Sequence, residues 1–140
     1  MSKRGAATSG PRVAIDESKW PRVYATWPGQ ALADEEFEEM VLAMSALHQR
    51  GERYVVIHDA RRAQRPSPKQ RAFAATQQKL DADKSARLLA GVAMVVSSPL
   101  IASVVTAINW ISPPPYPQKI FSSLDAAEAW ASEQLAKRRG

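Results

Sequence analysis

The sequence predicts an α/β fold: one domain in the order β-β-α-β-α-β-α-β-α, with a mostly parallel central sheet and flanking helices. Three observations carry this expectation. The chain has 140 residues, 45% hydrophobic and 24% charged, which is the size and balance of a single folded core. Two short segments near the start alternate apolar and polar residues, the period of a half-buried strand. From Asp34 onward, short β-branched runs alternate with apolar residues at helical spacing, and that succession calls for right-handed crossovers between parallel strands.

The near-copies Pro11-Arg12-Val13-Ala14 and Pro21-Arg22-Val23-Tyr24 open the first two strands, read as an antiparallel pair. Their apolar positions are Val13 and Ile15, then Val23, Ala25 and Trp27, and the prolines suit strand entry or a sheet edge. Asp34-Glu35-Glu36 forms an acidic first turn, after which Phe37, Met40, Val41, Met44, Leu47 and His48 recur at helical spacing until Gly51 ends the pattern. Glu35, Glu38, Glu39 and Arg50 mark the solvated side of that helix. Tyr54 to His58 is a β-branched strand ending at Asp59. Ser67-Pro68-Lys69-Gln70 has capping-box spacing with proline at the first helical position, so a second helix starts there and runs through Phe73, Ala74, Gln77 and Leu80. Its stripe breaks near Asp81 to Asp83, before a strand from Leu89 to Val96. A third helix follows Ser98-Pro99, with Leu100, Ile101, Val104, Val105, Ile108 and Ile111 on its apolar side, and stops at Pro113-Pro114-Pro115. A short strand, Lys119 to Phe121, precedes a terminal helix capped by Ser122 or Ser123, with Leu124, Ala127, Trp130, Ala131 and Leu135 facing inward. The folded domain is expected over 13–136, with a flexible N-terminal arm over 1–12 and a basic tail at 137–140.

Leu88 to Gln118 carries no charge and includes a run long enough to span a bilayer. Ser97-Ser98-Pro99 divides it into a strand and a helix start, so membrane insertion is not expected. No apolar stretch follows Lys3 and Arg4, which leaves a cytoplasmic location as the expectation.

The strand ending at Asp59, the helix after it, the strand Gly91-Val92-Ala93-Met94-Val95-Val96 and the closing stretch Phe121 to Trp130 resemble the SpoIIAA-like branch of the STAS superfamily, the STAS/SEC14-like small domain proteins. The resemblance covers Val13 to Leu135. It implies the SpoIIAA-like fold and a non-enzymatic role. In that branch, sporulation antagonists bind an anti-sigma kinase and are switched by phosphorylation of a Ser or Thr at the start of the helix after the third strand. There an Asp is followed directly by the hydroxyl residue. Here Asp59 is followed by Ala60 and a longer basic loop, and the nearest hydroxyl at a helix start is Ser67.

The absence of cysteine excludes disulfide scaffolds, thiolate metal sites and cysteine nucleophiles. His58 and Asp59 are adjacent on a strand and point to opposite faces, so they form no catalytic pair. His48 sits at the edge of an apolar stripe, where packing is its expected role. Two histidines without metal-binding spacing, and no GxGxxG, Walker A or GxSxG sequence, lead to the expectation of no metal, no cofactor and no enzyme activity.

Charge is more informative. The chain carries +5 with a pI near 9.8, and Arg50, Arg53, Arg61, Arg62, Arg65, Lys69 and Arg71 against Glu52 and Asp59 give one stretch an excess of the same size. Its later part falls where a parallel strand gives way to a helix N-terminus, a position that suits anions. Asp59, Arg61, Arg62, Arg65, Ser67 and Lys69 are therefore the candidate partner- or anion-binding residues, with Ser67 the candidate phosphorylation site. Nucleic acid is not expected, because no aromatic or glycine-rich readout element interleaves with the arginines. Pro113-Pro114-Pro115-Tyr116 spells a WW-domain ligand, but its place between a helix and a strand accounts for it. Trp20, Trp27 and Trp110 are read as core or hairpin anchors.

The functional expectation is a non-catalytic regulatory or scaffolding module that binds a protein partner, with an edge strand near Pro11 or Pro21, or the side of Trp20 and Trp27, able to support a homodimer. The alternative is a small-molecule or lipid-binding domain that uses the uncharged Leu88 to Gln118 stretch as a pocket wall. A large enclosed cavity favours the alternative, and a filled core with an exposed apolar or basic patch favours the first.

Overall fold

Four parallel strands and an antiparallel edge strand make one sheet in the computed structural model, which describes residues 10–111 and 113–137, with the backbone alone for Ile108 and Ile111. Most of the expected arm and tail lie outside the described residues. The strands β1 (Ala14–Asp16), β2 (Arg22–Thr26), β3 (Tyr54–Asp59), β4 (Leu89–Val95) and β5 (Gln118–Phe121) lie side by side in chain order. Ile15 pairs antiparallel with Ala25, whereas Val23, Val56, Val92 and Gln118 form a parallel row across the sheet.

That order decides where the helices go. Successive parallel strands step in one direction, so right-handed crossovers carry every connecting helix to the same face. The helices α1 (Asp34–Ala46), α2 (Pro68–Leu80), α3 (Ala82–Leu88) and α4 (Pro99–Ile111) share it. Among the described helices only α5 (Leu124–Ala136), which follows the last strand, covers the other side.

The two faces are built from alternate residues. Val55, Ile57, Ala93 and Val95 pack under Ala127 and Ala131 of α5, all fully buried, and each large aliphatic side chain removed from water contributes roughly 1.5–3 kcal/mol. A Cβ at Gly91 would lie 3.2 Å from the side chains of Gln134 and Trp130, so a glycine there lets α5 sit close to the sheet. On the opposite face Val23, Val56 and Val92 meet Leu47, Tyr54 and Leu89.

Local signals account for the helix ends. Ser67 Oγ accepts from the Gln70 amide at 3.1 Å while the Ser67 amide donates to Gln70 Oε1 at 3.2 Å, a complete capping box. Ser123 Oγ accepts from the Ala126 amide, and the Arg53 guanidinium donates to the carbonyls of Gln134, Leu135 and Lys137, closing the far end of α5. α1 gives way to a 3-10 turn, Leu47–Arg50, which ends at Gly51 with φ +69°, the left-handed conformation that favours glycine. The expected break at Asp81 separates α2 from α3.

Two side chains depart from expectation. Trp110 is 84% exposed and Leu100 53% exposed, whereas the sequence pattern makes Trp110 a core or hairpin anchor and puts Leu100 on the apolar side of its helix. With Ile101, Val104 and Val105 turned inward, a repeat of 3.6 residues puts Trp110 half a turn away, toward solvent. Trp20 does anchor the hairpin, stacked on Tyr54 at 5.1 Å with the Arg50 guanidinium over its other side at 3.8 Å. No helix among the described residues is long and apolar enough to cross a membrane.

Candidate functional site

The helices on the crowded face do not close on the sheet. Between the row Val56, His58, Val92 and Met94 and the inner sides of α1, α2 and α4 lies a partly enclosed cavity of about 240 Å³. Phe37, Met40 and Met44 from α1, Ala74 from α2 and Ile101, Val104 and Val105 from α4 make its wall predominantly apolar. Much of the uncharged Leu88–Gln118 stretch contributes: Leu89, Val92, Met94, the inner side of α4, Tyr116 and Gln118 all line it. A site that is mostly apolar with a few placed polar groups is the usual composition of a small-molecule pocket.

Polar groups gather at the two ends. Near the start of the strands, Ser85 Oγ and His48 Nε2 are 3.2 Å apart, Gln77 Nε2 donates to both Asp81 oxygens and to Ser45, and Tyr116 donates to Gln78. Asn109 of α4 donates to Gln118 of β5, which ties the helix to the edge of the sheet. Ser85 and His48 have the types of a nucleophile and base, and the Asp81 carboxylate and the Ser45 backbone are the groups that favour the charged form of the ring. Burial lowers the His48 pKa, so the ring is neutral near neutral pH.

At the other end, Trp27 Nε1 donates to His58 Nδ1 at 3.1 Å. His58 lines the cavity and is half-buried. Desolvation pushes its pKa down to about 4, and no charged neighbour contributes. Ala60, Val96 and Ile101 pack together at this end beside Trp27 and Met94.

The basic loop is placed differently. Asp59 turns away from His58 and takes Arg61 in a two-pronged pair, Nε to Oδ1 at 2.9 Å and NH2 to Oδ2 at 2.8 Å, which lowers the carboxyl pKa and raises that of the guanidinium. Ser97 Oγ donates to the Arg61 carbonyl at 2.7 Å. Lys69 pairs with Asp34 at 3.3 Å, and Ser67 is engaged in its capping box. The Arg62 guanidinium lies against Gly29, whose carbonyl accepts from Gln64, and Arg65 is exposed. Arg50 pairs with Glu17 and Arg53 caps α5, both at the opposite end of β3 from Arg61. The fold therefore spreads the cationic stretch over several local partners. Among the described residues, no three metal-ligating side chains of His, Cys, Asp or Glu come together.

Comparison with known proteins agrees with this architecture. Residues 23–135 match a family described as a domain of unknown function, DUF7793. The chain belongs to that family. No curated protein matches it. Among solved structures, the DUF7793 chain is similar to an uncharacterized DUF3478-family protein with a SpoIIAA-like fold from Shewanella loihica PV-4. The two share 19% identity and a TM-score of 0.57, over 87% of this chain and 94% of the other. The fold is thus SpoIIAA-like, as the resemblance in the sequence implied.

The sequence reading missed the Trp27–His58 bond and the Ser85–His48 contact. Each joins residues more than thirty positions apart. A signal for the first was present: a histidine inside a β-branched strand places a polar ring on a buried face, where it needs a partner.

Proposed function

We propose that this chain is a non-catalytic binding module that takes a small apolar molecule into the cavity beneath α4. The cavity is the observation that carries the reading. The space is mostly apolar and partly open, so a small apolar guest can enter it and bury its own surface there.

Three of the four methionines, Met40, Met44 and Met94, line the cavity, which supplies the test. With methyl-¹³C methionine, titration with 2-octanone or its hydrocarbon isostere 2-methyl-1-octene should shift those three signals in a saturable way. Unchanged signals with both compounds would reject the reading.

A second reading, docking of a protein partner, is favoured by the outer side of α4. Leu100 and Trp110 are ten residues apart, nearly three helical turns, and both are exposed on it. Replacing both by serine should then abolish capture of a specific partner from native extract while leaving the methionine titration unchanged.

A further inference from the structure

We infer that the cavity's ligand carries a hydrogen-bond acceptor at one end of an otherwise apolar body, and that His58 Nε2–H donates to it. This rests on the reading of the cavity as a ligand site and specifies which ligands it takes.

An indole N–H can only donate, so the Trp27 bond requires His58 Nδ1 to be an unprotonated acceptor. The neutral ring then carries its one proton on Nε2. Among the described residues, no group besides Trp27 hydrogen-bonds to the His58 side chain, and His58 lines the cavity together with Val56 and Met94. The ring stays neutral because burial holds its pKa near 4, so it presents a single donor and no charge to a guest. The polar groups at the opposite end are arranged otherwise. Ser85 meets His48, Gln77 meets Asp81 and Asn109 meets Gln118, each pair within the protein wall. An N–H on the wall of a mostly apolar cavity gains from an acceptor that the ligand places there, and a ligand without one displaces the water that would otherwise meet it and loses that bond. A ketone, ester or ether oxygen fits these requirements. A guest ending in an ammonium group does not, because it meets a donor with a donor.

The experiment uses 2-octanone and 2-methyl-1-octene, which have the same shape and differ by an oxygen in place of a methylene carbon. One hydrogen bond corresponds to an affinity factor of roughly 2 to 12. His58→Leu should weaken 2-octanone binding by about that factor and leave 2-methyl-1-octene binding unchanged or tighter. In the parent protein, ¹⁵N spectra of the imidazole should show the Nε2–H tautomer, with Nε2 shifting on addition of the ketone and not of the alkene. Equal effects of His58→Leu on both compounds, or an Nδ1–H tautomer, would overturn the inference while leaving the cavity reading intact. Failure of both compounds to bind the parent would remove both.

Discussion

The two faces of the sheet solve the same packing problem in opposite ways. Under α5, small residues on the helix and Gly91 on the strand bring backbone close to backbone, and Val55, Ile57, Ala93 and Val95 fill what remains. Across the sheet, three helices lean over Val56, His58, Val92 and Met94 and leave about 240 Å³ between them. One helix fitted by two alanines closes its face of the sheet more completely than the helices opposite close theirs. The dry face supplies cohesion, and the open face carries both histidines and the means to accept a guest.

The largest test of this contrast is pH. His58 has a pKa of about 4 in the folded chain against an ordinary 6.5, so above about pH 6.5 both states are neutral there and stability is flat. As pH falls toward 4, the unfolded chain binds a proton that the folded chain excludes, and stability drops by on the order of 3 kcal/mol before levelling off. His48, also lowered by burial, adds a loss of the same sign. Urea denaturation across this range should show the decline, and His58→Phe should remove its larger part. A profile unchanged by that substitution would mean that the open face does not hold His58 neutral.

A matched pair of substitutions probes packing directly. Ala131→Leu forces three carbons into the dry face and should cost about 1–3 kcal/mol or more, read as a lower denaturation midpoint. Next in size, Ser67→Ala removes the capping box of α2 and should cost about 1 kcal/mol, whereas Ser67→Asp should retain most of it. Ala74→Leu adds the same three carbons as Ala131→Leu but into the cavity. It should change stability by less than about 1 kcal/mol in either direction and abolish the methionine shifts produced by 2-octanone. Equal costs for the two alanine substitutions would erase the distinction between the faces.

Much of the architecture was written locally. The capping box at Ser67, the alternation in Val23-Tyr24-Ala25 and the β-branched run Val55-Val56-Ile57 each act through neighbours a few residues away, so periodicity identified element types and their order. The parallel sheet followed from that order and from the handedness of crossovers. Asp59 and His58 diverge because adjacent strand residues must, and their partners Arg61 and Trp27 lie on opposite sides of that divergence.

The site was decided only by the tertiary structure. A cavity is the volume left when helices of particular bulk settle on a sheet, and nothing in the spacing of Met40, Ala74 and Val105 records how far apart those helices come to rest. The uncharged stretch Leu88 to Gln118 could be assigned to a pocket wall or to a filled core with equal economy. Sequence proximity likewise gathered Arg50 through Arg71 into one basic patch, but β3 runs through that stretch and carries Arg53 and Arg61 to opposite ends of the sheet. Helix and strand are properties of local dihedral preference and periodicity, whereas pockets and charge clusters are properties of distance between segments, and distance exists only once the chain has folded.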